Sequence, residues 1–518
     1  MDNKLRDILI SLPYIKTVKD ISDYYNMNVF LVGGIIRDSI ISTFFHSDIF
    51  PKRNESRQQV LDLDFATGGD ALVFGKKVGD SVNGSYFPLD KERSVSRVVI
   101  KSPSFPPLIR GSEGGLIILD FSRIRGEGIE DDLRKRDFTI NSIAISLNNL
   151  FSNNELKLID PTGGIKDIEE RVIRMYDKNV IDDDPLRMLR AIKFESRLGF
   201  TMDSLLEVLI EENGYKLKNS SGERVRDELF NILSRRESYR YIQKLKELLL
   251  LRDIIPEIDT MDRDFTSVPE QERHYRYLLW DHSLNTLKTI EILLENLSNI
   301  FFKRHQQIDG ILSSLLEHGI SCKEILKLSA LMHDAGKPQA RIVNKSGEWQ
   351  FINHEIIGAE MGEKLGQRLK LGNNAIKIMT SIIKNHMRPI LLSRERIVTN
   401  RAIFRFFRDT QRDGVLICLL SIADIHATRG SGIFDDVAED IEGLVKRMLD
   451  FYFEDFTKQI GSPLISGNEI MERLGIKSGK EIGEILKNIE EYRAEGVILN
   501  KEDALKFITE GGWNLNNH

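Results

Sequence analysis

Two short stretches carry side chains whose types and spacing suit phosphate chemistry. At 61–67 the chain reads LDLDFAT, which puts Asp62 and Asp64 two residues apart in an apolar run. On a strand such residues share a face, so the two carboxylates converge while Leu61, Leu63 and Phe65 point the other way. Close like charges repel unless a cation lies between them. Mg²⁺ suits such a place, because it is held by one or two carboxylates together with substrate phosphates. At 30–40 the sequence FLVGGIIRDSI runs an apolar strand into Gly33 and Gly34. Consecutive glycines let a bulky ligand approach the backbone, and amides at the start of the next helix favour an anion. Arg37 can add a bidentate phosphate contact that Asp38 orients. Alone, the glycine pair reads equally well as a tight strand-to-helix turn. Beside two convergent aspartates it reads as a triphosphate cradle, the layout for two-metal phosphoryl transfer.

The elements that must position these groups follow from periodicity. Short runs at VFLVG, LDLDFAT, SRVVI, LIILDF and FTINSIAIS read as strands, with a helix after each of the first two. From about Ile165 onward the pattern is helical almost throughout, with breaks near 256–273 and 455–467. The segments 45–60 and 102–115 read as loops, the first polar and the second rich in Pro, Gly and Ser. The fold class is therefore α+β. A chain of 518 residues is too long for one core. With 41% hydrophobic and 29% charged residues the composition is that of a globular protein. A net charge of −6 excludes a uniformly basic coat but leaves room for a local basic groove. Two such grooves are suggested by 235–246 and 394–412, which read either as RNA-backbone tracks or as solvated helix faces. Cys322 and Cys418 have no metal-ligand spacing and read as core thiols. The N-terminus is unlike a signal peptide and the longest apolar run, VLICLLSIA at 415–423, falls far short of a membrane span. The expected location is cytoplasmic.

VGGIIRD followed by DLDFAT resembles the head of the class II nucleotidyltransferases of the polymerase β superfamily, which includes bacterial CCA-adding tRNA nucleotidyltransferases and poly(A) polymerases. The resemblance continues in order. RKRDFTINSIA at 134–144 is similar to the family's ribose-selecting motif, with Lys135 in place of its first arginine. Arg136 and Asp137 can offer a donor and an acceptor to a 2′-hydroxyl. DDPLRMLRAIKF at 183–194 resembles the helix that serves as a protein template. The resemblance gives Asp184 and Arg187 the Watson–Crick edge of the incoming base. A carboxylate accepts from the amine of C or A and a guanidinium donates to their ring acceptors, whereas G and U present carbonyls there. Arg190, one turn on, can reach the triphosphate. SGERVRDEL at 221–229, with Glu223, resembles the motif that braces the template helix. Asp120 in LIILDF matches a third acidic residue that deprotonates the attacking hydroxyl in the superfamily; it reads equally as a turn cap. The segment 45–60 reads as an insertion relative to the family.

In the helical half, His282, the adjacent pair His333–Asp334, and Asp424 resemble the ligand set of the HD phosphohydrolases, and His354 and His386 match further ligands of its larger-set members. Adjacent residues leave a helix about 100° apart, so a His–Asp pair must embrace something shared. Imidazole with carboxylate suits a transition metal such as Mn, Ni, Co or Fe better than Mg. Residues 462–507 resemble the helical tail of HD-containing CCA-adding enzymes.

The resulting expectation is a nucleotidyltransferase head at 1–150, a helical neck with the base-template helix at 151–255, an HD metal-binding domain at 256–450 and a helical RNA-binding tail at 451–518. The expected activity is addition of CCA, or part of it, to the tRNA 3′ end from CTP and ATP, using Mg²⁺ in the head and a second divalent metal in the HD domain. An A-adding, CC-adding or poly(A)-polymerising relative remains open on the same motifs, as does an HD hydrolase as the main activity.

Overall fold

The computed structural model describes residues 2–45, 59–104, 113–263, 273–346, 349–428, 435–461 and 463–511. The chain divides into two compact units, Met1–Ile232 with Lys244–Ile254, and Leu233–Gln243 with Ile255–His518.

The first unit is built on six strands: β1 (Val29–Val32), β2 (Gln59–Thr67), β3 (Ser85–Asp90), β4 (Val95–Ser104), β5 (Glu113–Arg123) and β6 (Ala144–Ser146). Their order across the sheet is β3-β4-β5-β2-β1-β6. Only β2 and β5 run parallel, pairing Asp64 with Asp120; the other neighbours are antiparallel. Strand parity sets the faces as expected. Leu61, Leu63 and Phe65 on β2, with Ile117, Leu119 and Phe121 on β5, are all at most 1% exposed. Phe65 stacks on Phe121, whose edge meets Phe74 of the helix Ala71–Ser81. That helix starts at Asp70, whose carboxylate accepts from the Leu72 and Val73 amides. Asp62, Asp64 and Asp120 are left on the opposite face.

Strand expectations fail in two places. FTIN in FTINSIAIS is not a strand but a 3₁₀ turn at Thr139–Asn141, and β6 begins only at Ala144. Side chains outcompete the ladder there: Asp137 accepts from the Phe138 amide and from Asn141 Nδ2, and Ser142 Oγ donates to the Phe138 carbonyl. The strand β3 was not legible. It is an exposed edge strand with Pro88 inside it, so it lacks the apolar alternation that marks a strand. Of the two loops, 46–58 and 105–112 lie outside the described residues; β4 runs to Ser104 and β5 begins at Glu113, so strand reaches into the 102–115 segment.

Beyond the sheet the first unit is helical. The helix Arg187–Leu198 is tied by Lys193 to Glu228 at 2.7 Å and by Glu195 to Lys244 at 2.7 Å. The only strands past residue 164 among the described residues are two short pairs, Val172–Ile173 with Thr201–Met202, and Arg341–Val343 with Trp349–Phe351.

The second unit is a bundle in which the helices Arg273–Glu295, Cys322–Met332, His354–Arg368, Asn373–Asn385 and Asp413–Thr428 pack together. Both cysteines are free and buried. Lys327, 2% exposed, ties the bundle by donating to the Leu233 and Arg235 carbonyls and to Glu291. The C-terminal helices Gly467–Leu474, Lys480–Ala494 and Lys501–Thr509 share a separate isoleucine-rich core. They are joined to the bundle through Glu491. This carboxylate, 1% exposed, accepts from Arg401, Arg405 and Arg408 at 2.6–2.8 Å. The three arginines at the centre of the 394–412 basic stretch thus face an internal carboxylate. No helix among the described residues is long and apolar enough to cross a membrane.

Replacing Glu491 by Ala leaves three guanidiniums facing one another around an apolar gap. We expect Glu491→Ala to lower unfolding stability by about 1–3 kcal/mol in denaturant melts, since an unpaired buried charge costs more than a lost surface pair.

Candidate active site and metal centre

A cavity of about 1300 Å³ opens on the carboxylate face of the first unit. The Gly33–Gly34 turn, Asp62 and Asp64 form one part of its lining; Arg136, Asp137, Asp184, Arg187 and Arg190 form another. Sequence-distant candidates therefore meet in one chamber. Asp120 stands beside it on β5, in register with Asp64.

Gly33 is fixed as glycine by two constraints. Its φ is +79°, and an added Cβ would come 3.3 Å from Asp64 Oδ2 and 3.5 Å from Arg136 Nη1. The helix Gly34–Phe45 starts at this turn, so its amino end and the carboxylates face the same space. Burial is the main cause raising the Asp64 carboxyl to about 6; Arg136 opposes it, while Asp120 and Asp62 reinforce it. Carboxylates crowded into partial burial are a donor set that fits a hard divalent cation. Arg97 on β4 engages both Asp120 oxygens at 2.8 Å.

The remaining groups are held by networks. Arg37, 2% exposed, donates through Nε to Asp38 at 2.8 Å and through Nη1 to Asn141 at 2.5 Å. Asp38 also takes Arg197 at 2.8 Å. Arg37 lines the cavity, yet these bonds make it as much a buried strut as a phosphate contact. Asp137 is 6% exposed and meets Arg190 Nη1 at 2.7 Å. Burial raises the Asp137 carboxyl, but Arg190, Asn141 and Arg187 outweigh it and leave it below its ordinary value. Asp184 Oδ1 accepts from the Leu186 amide, and its Oδ2 accepts from Arg224 at 2.6 Å. Arg187 donates to the Val180 carbonyl at 2.6 Å. Bracing of the template segment comes through Arg224 and Glu228, neighbours of the exposed Glu223.

The second unit brings His282, His333, Asp334, His354, His386 and Asp424 together. Their ligand atoms form three overlapping groups, each within 4.8 Å. His282 Nε2 lies 2.9 Å from Asp424, His333 Nε2 3.3 Å from Asp334 and His354 Nε2 3.4 Å from Asp334. The Nδ1 atoms of His333, His354 and His386 sit 2.7–2.9 Å from the carbonyls of Ala330, Phe351 and Ile383, each three residues upstream. A carbonyl can only accept, so each Nδ1 carries the proton and each Nε2 lone pair faces inward. That arrangement fits a metal. Burial lowers His333, but Asp334 and Asp424 overcome it and raise the imidazole to about 10; burial and charged His333 push His386 down to about 4. A cation held there would replace the Nε2 proton that Asp334 and Asp424 otherwise favour on His333.

Three family models match this chain: the poly(A) polymerase head domain over residues 29–174, a segment described as "Probable RNA and SrmB- binding site of polymerase A" over 199–261, and the HD domain over 279–428. The chain thus carries a poly(A) polymerase-type head domain and an HD domain. It is similar to an A-adding tRNA nucleotidyltransferase from Deinococcus radiodurans, 29% identical over 92% of this chain and 94% of that one. A CC-adding tRNA nucleotidyltransferase from Geobacter sulfurreducens is 25% identical over 98% of both chains. The fold is shared with a CCA-adding enzyme solved with ATP, at TM-score 0.62 and 21% identity over 97% of this chain and 94% of that one.

Within this nucleotidyltransferase, sequence reasoning missed Arg97, Arg125, Asp132, Arg197 and Arg224. Arg197 was the most findable, since it lies two helical turns from Arg190 on one face of the template helix. The pairing of Arg97 with Asp120 is legible only once β4 and β5 are paired. Gly33→Ala combines an unfavourable backbone with a side chain thrust between Asp64 and Arg136. We expect it to cut nucleotide incorporation at least tenfold, measured with radiolabelled CTP and ATP, while the circular-dichroism spectrum is kept.

Proposed function

We propose that this protein transfers C or A residues from CTP and ATP to the 3′ end of tRNA, completing all or part of its CCA sequence, in the cytoplasm. The observation that carries the reading is a single cavity in which two convergent aspartates, a glycine turn at a helix start and an Asp184–Arg187 pair line the same space. On this reading Asp62 and Asp64 hold Mg²⁺, which would lower the pKa of the 3′-hydroxyl and neutralise charge on the phosphates.

The chain's own residues do the rest. The Gly33–Gly34 turn, through the Gly34 amide, and Arg190 receive the triphosphate; the Gly33 amide itself donates to the Ile143 carbonyl at 3.2 Å. Arg136 and Asp137 take the ribose. Asp184 accepts from the exocyclic amine of the base and Arg187 donates to its ring acceptor. The 3′-hydroxyl gives up its proton to solvent, its oxygen attacks the α-phosphorus, the bond to the pyrophosphate breaks, and pyrophosphate leaves. Both Asp120 oxygens are engaged by Arg97, so we assign Asp120 to holding negative charge on the face. In the second unit His282, His333, Asp334, His354, His386 and Asp424 hold a transition metal such as Mn, Ni, Co or Fe, supported by the inward Nε2 lone pairs. The division into head 1–150, neck 151–255, HD domain 256–450 and tail 451–518 accompanies this proposal.

The two full-length relatives named above add different parts of the sequence, so the extent of addition is read by experiment. Purified protein is incubated with tRNA ending before CCA, after C, or after CC, with CTP or ATP alone. Extension of at least one of these with C or A, and none with UTP or GTP, is the expected result; no extension of any of them overturns the reading. Asp64→Ala should abolish incorporation with the fold intact. Arg187→Ala should relax discrimination against UTP and GTP by about tenfold or more, one lost bidentate base contact being worth about 1–3 kcal/mol. Metal analysis of protein loaded with Mn²⁺ or Ni²⁺ should show one tightly held ion that is lost in His333→Ala and retained in Asp64→Ala.

A further inference from the structure

The helix Ile129–Arg134 carries three acids in a row, Glu130, Asp131 and Asp132. Two behave as surface residues, with side chains 61% and 42% exposed and paired to Arg134. The third is 1% exposed and serves two cations that line the nucleotide cavity. Asp132 Oδ2 accepts from Nε and Nη2 of Arg136, both at 3.1 Å. Its Oδ1 accepts from Nε of Arg125 at 2.8 Å and from the Arg125 amide at 3.3 Å. Each oxygen thus holds one guanidinium.

The consequence lies in what remains of Arg136. A guanidinium is planar, so two bonds through Nε and Nη2 fix the plane and with it the direction of the third nitrogen, Nη1. That nitrogen is the one facing the Gly33 turn, 3.5 Å from where a Cβ on Gly33 would stand, with Asp64 beside it. A long side chain on the cavity wall would otherwise sample many rotamers and lose that freedom on each binding event. We propose that Asp132 is a positioning residue: by gripping Arg136 through two nitrogens it aims the third into the nucleotide cavity, and selection of ribonucleotides over deoxyribonucleotides depends on that grip. The proposal rests on the nucleotidyltransferase reading above. Asp132 touches no reacting atom; it acts through Arg136. The two flanking arginines hold its carboxyl below the ordinary value in spite of burial, so it stays charged at neutral pH. An asparagine would keep the shape but turn an amide donor towards one of the two guanidiniums.

The test measures kcat/KM for single-nucleotide addition to tRNA lacking part of its CCA end, for whichever of CTP and ATP the wild type uses and for its 2′-deoxy form. Incorporation by the wild type tests the underlying reading separately. The variants are Asp132→Asn, Arg136→Ala, Arg136→Lys and the double Asp132→Asn/Arg136→Ala. We expect the ribose-to-deoxyribose ratio to fall at least tenfold in Asp132→Asn and in Arg136→Ala, with no further fall in the double variant. Arg136→Lys, which keeps the charge but loses the fork, should fall with them. A ratio unchanged from wild type in Asp132→Asn, or losses that add in the double variant, overturns the proposal. Should Asp132→Asn fail to fold, Arg136→Lys decides: retained discrimination there overturns the proposal on its own.

Discussion

The first unit is organised around carboxylates that a β-sheet forces to share one face. Parity puts Asp62 and Asp64 together on β2, and the parallel register with β5 sets Asp120 opposite Asp64. They cannot turn away, because the alternate positions are filled by side chains at most 1% exposed. Burial raises the Asp64 carboxyl to about 6, and the charges of Asp120 and Asp62 add to that rise. Positive charge must come to the face, and the sequence supplies it twice: fixed guanidiniums at Arg97 and Arg136, and a donor set fit for a divalent cation. A cavity lined by both signs suits a ligand that is itself a polyanion carrying a metal.

The second unit solves a related problem with different chemistry. Asp334 is 1% exposed and lies among four imidazoles, within 3.3–3.8 Å of their Nε2 atoms. Backbone carbonyls three residues upstream set the tautomer of three of them, so those lone pairs are aimed before any ligand arrives. Helix geometry supplies the Ala330 and Ile383 acceptors, and the end of the strand Trp349–Phe351 supplies the third. The constraint is local, which is why an adjacent His–Asp pair in a sequence is so informative: the two side chains must converge on one point from a single helical turn.

Sequence legibility followed the range of the interaction. Alternation within β2 and the glycine turn were legible because each is a contact between residues a few positions apart. The FTIN turn was misread because Asp137 and Asn141 bond to nearby backbone, and apolar pattern alone does not register that competition. Asp132 was invisible beside Glu130 and Asp131, since only the fold decides which of three acids is buried. The 394–412 stretch shows the same limit from the other side. It reads as a basic face, yet Arg401, Arg405 and Arg408 converge on Glu491, some 80 to 90 positions later. Charge composition is local, but charge pairing is not.

Partner exchange runs through the whole cavity. Arg190 meets Asp137, Arg224 meets Asp184, and Arg97 meets Asp120. The carboxylates proposed to meet ribose and base are therefore already paired with guanidiniums of the same chain, which spares the buried Asp137 the cost of standing unpaired, while Asp184 is only partly buried. On the proposed reading, a nucleotide binds by replacing donors rather than by filling empty positions. This has a bearing on selectivity. An exocyclic amine can take over the place of Arg224 on Asp184, because it too is a donor. A carbonyl at that position cannot, so a uracil or guanine would displace Arg224 only by leaving Asp184 facing another acceptor. Discrimination on this basis comes from the penalty on the wrong base more than from any gain with the right one, as expected where a site is built from buried polar groups.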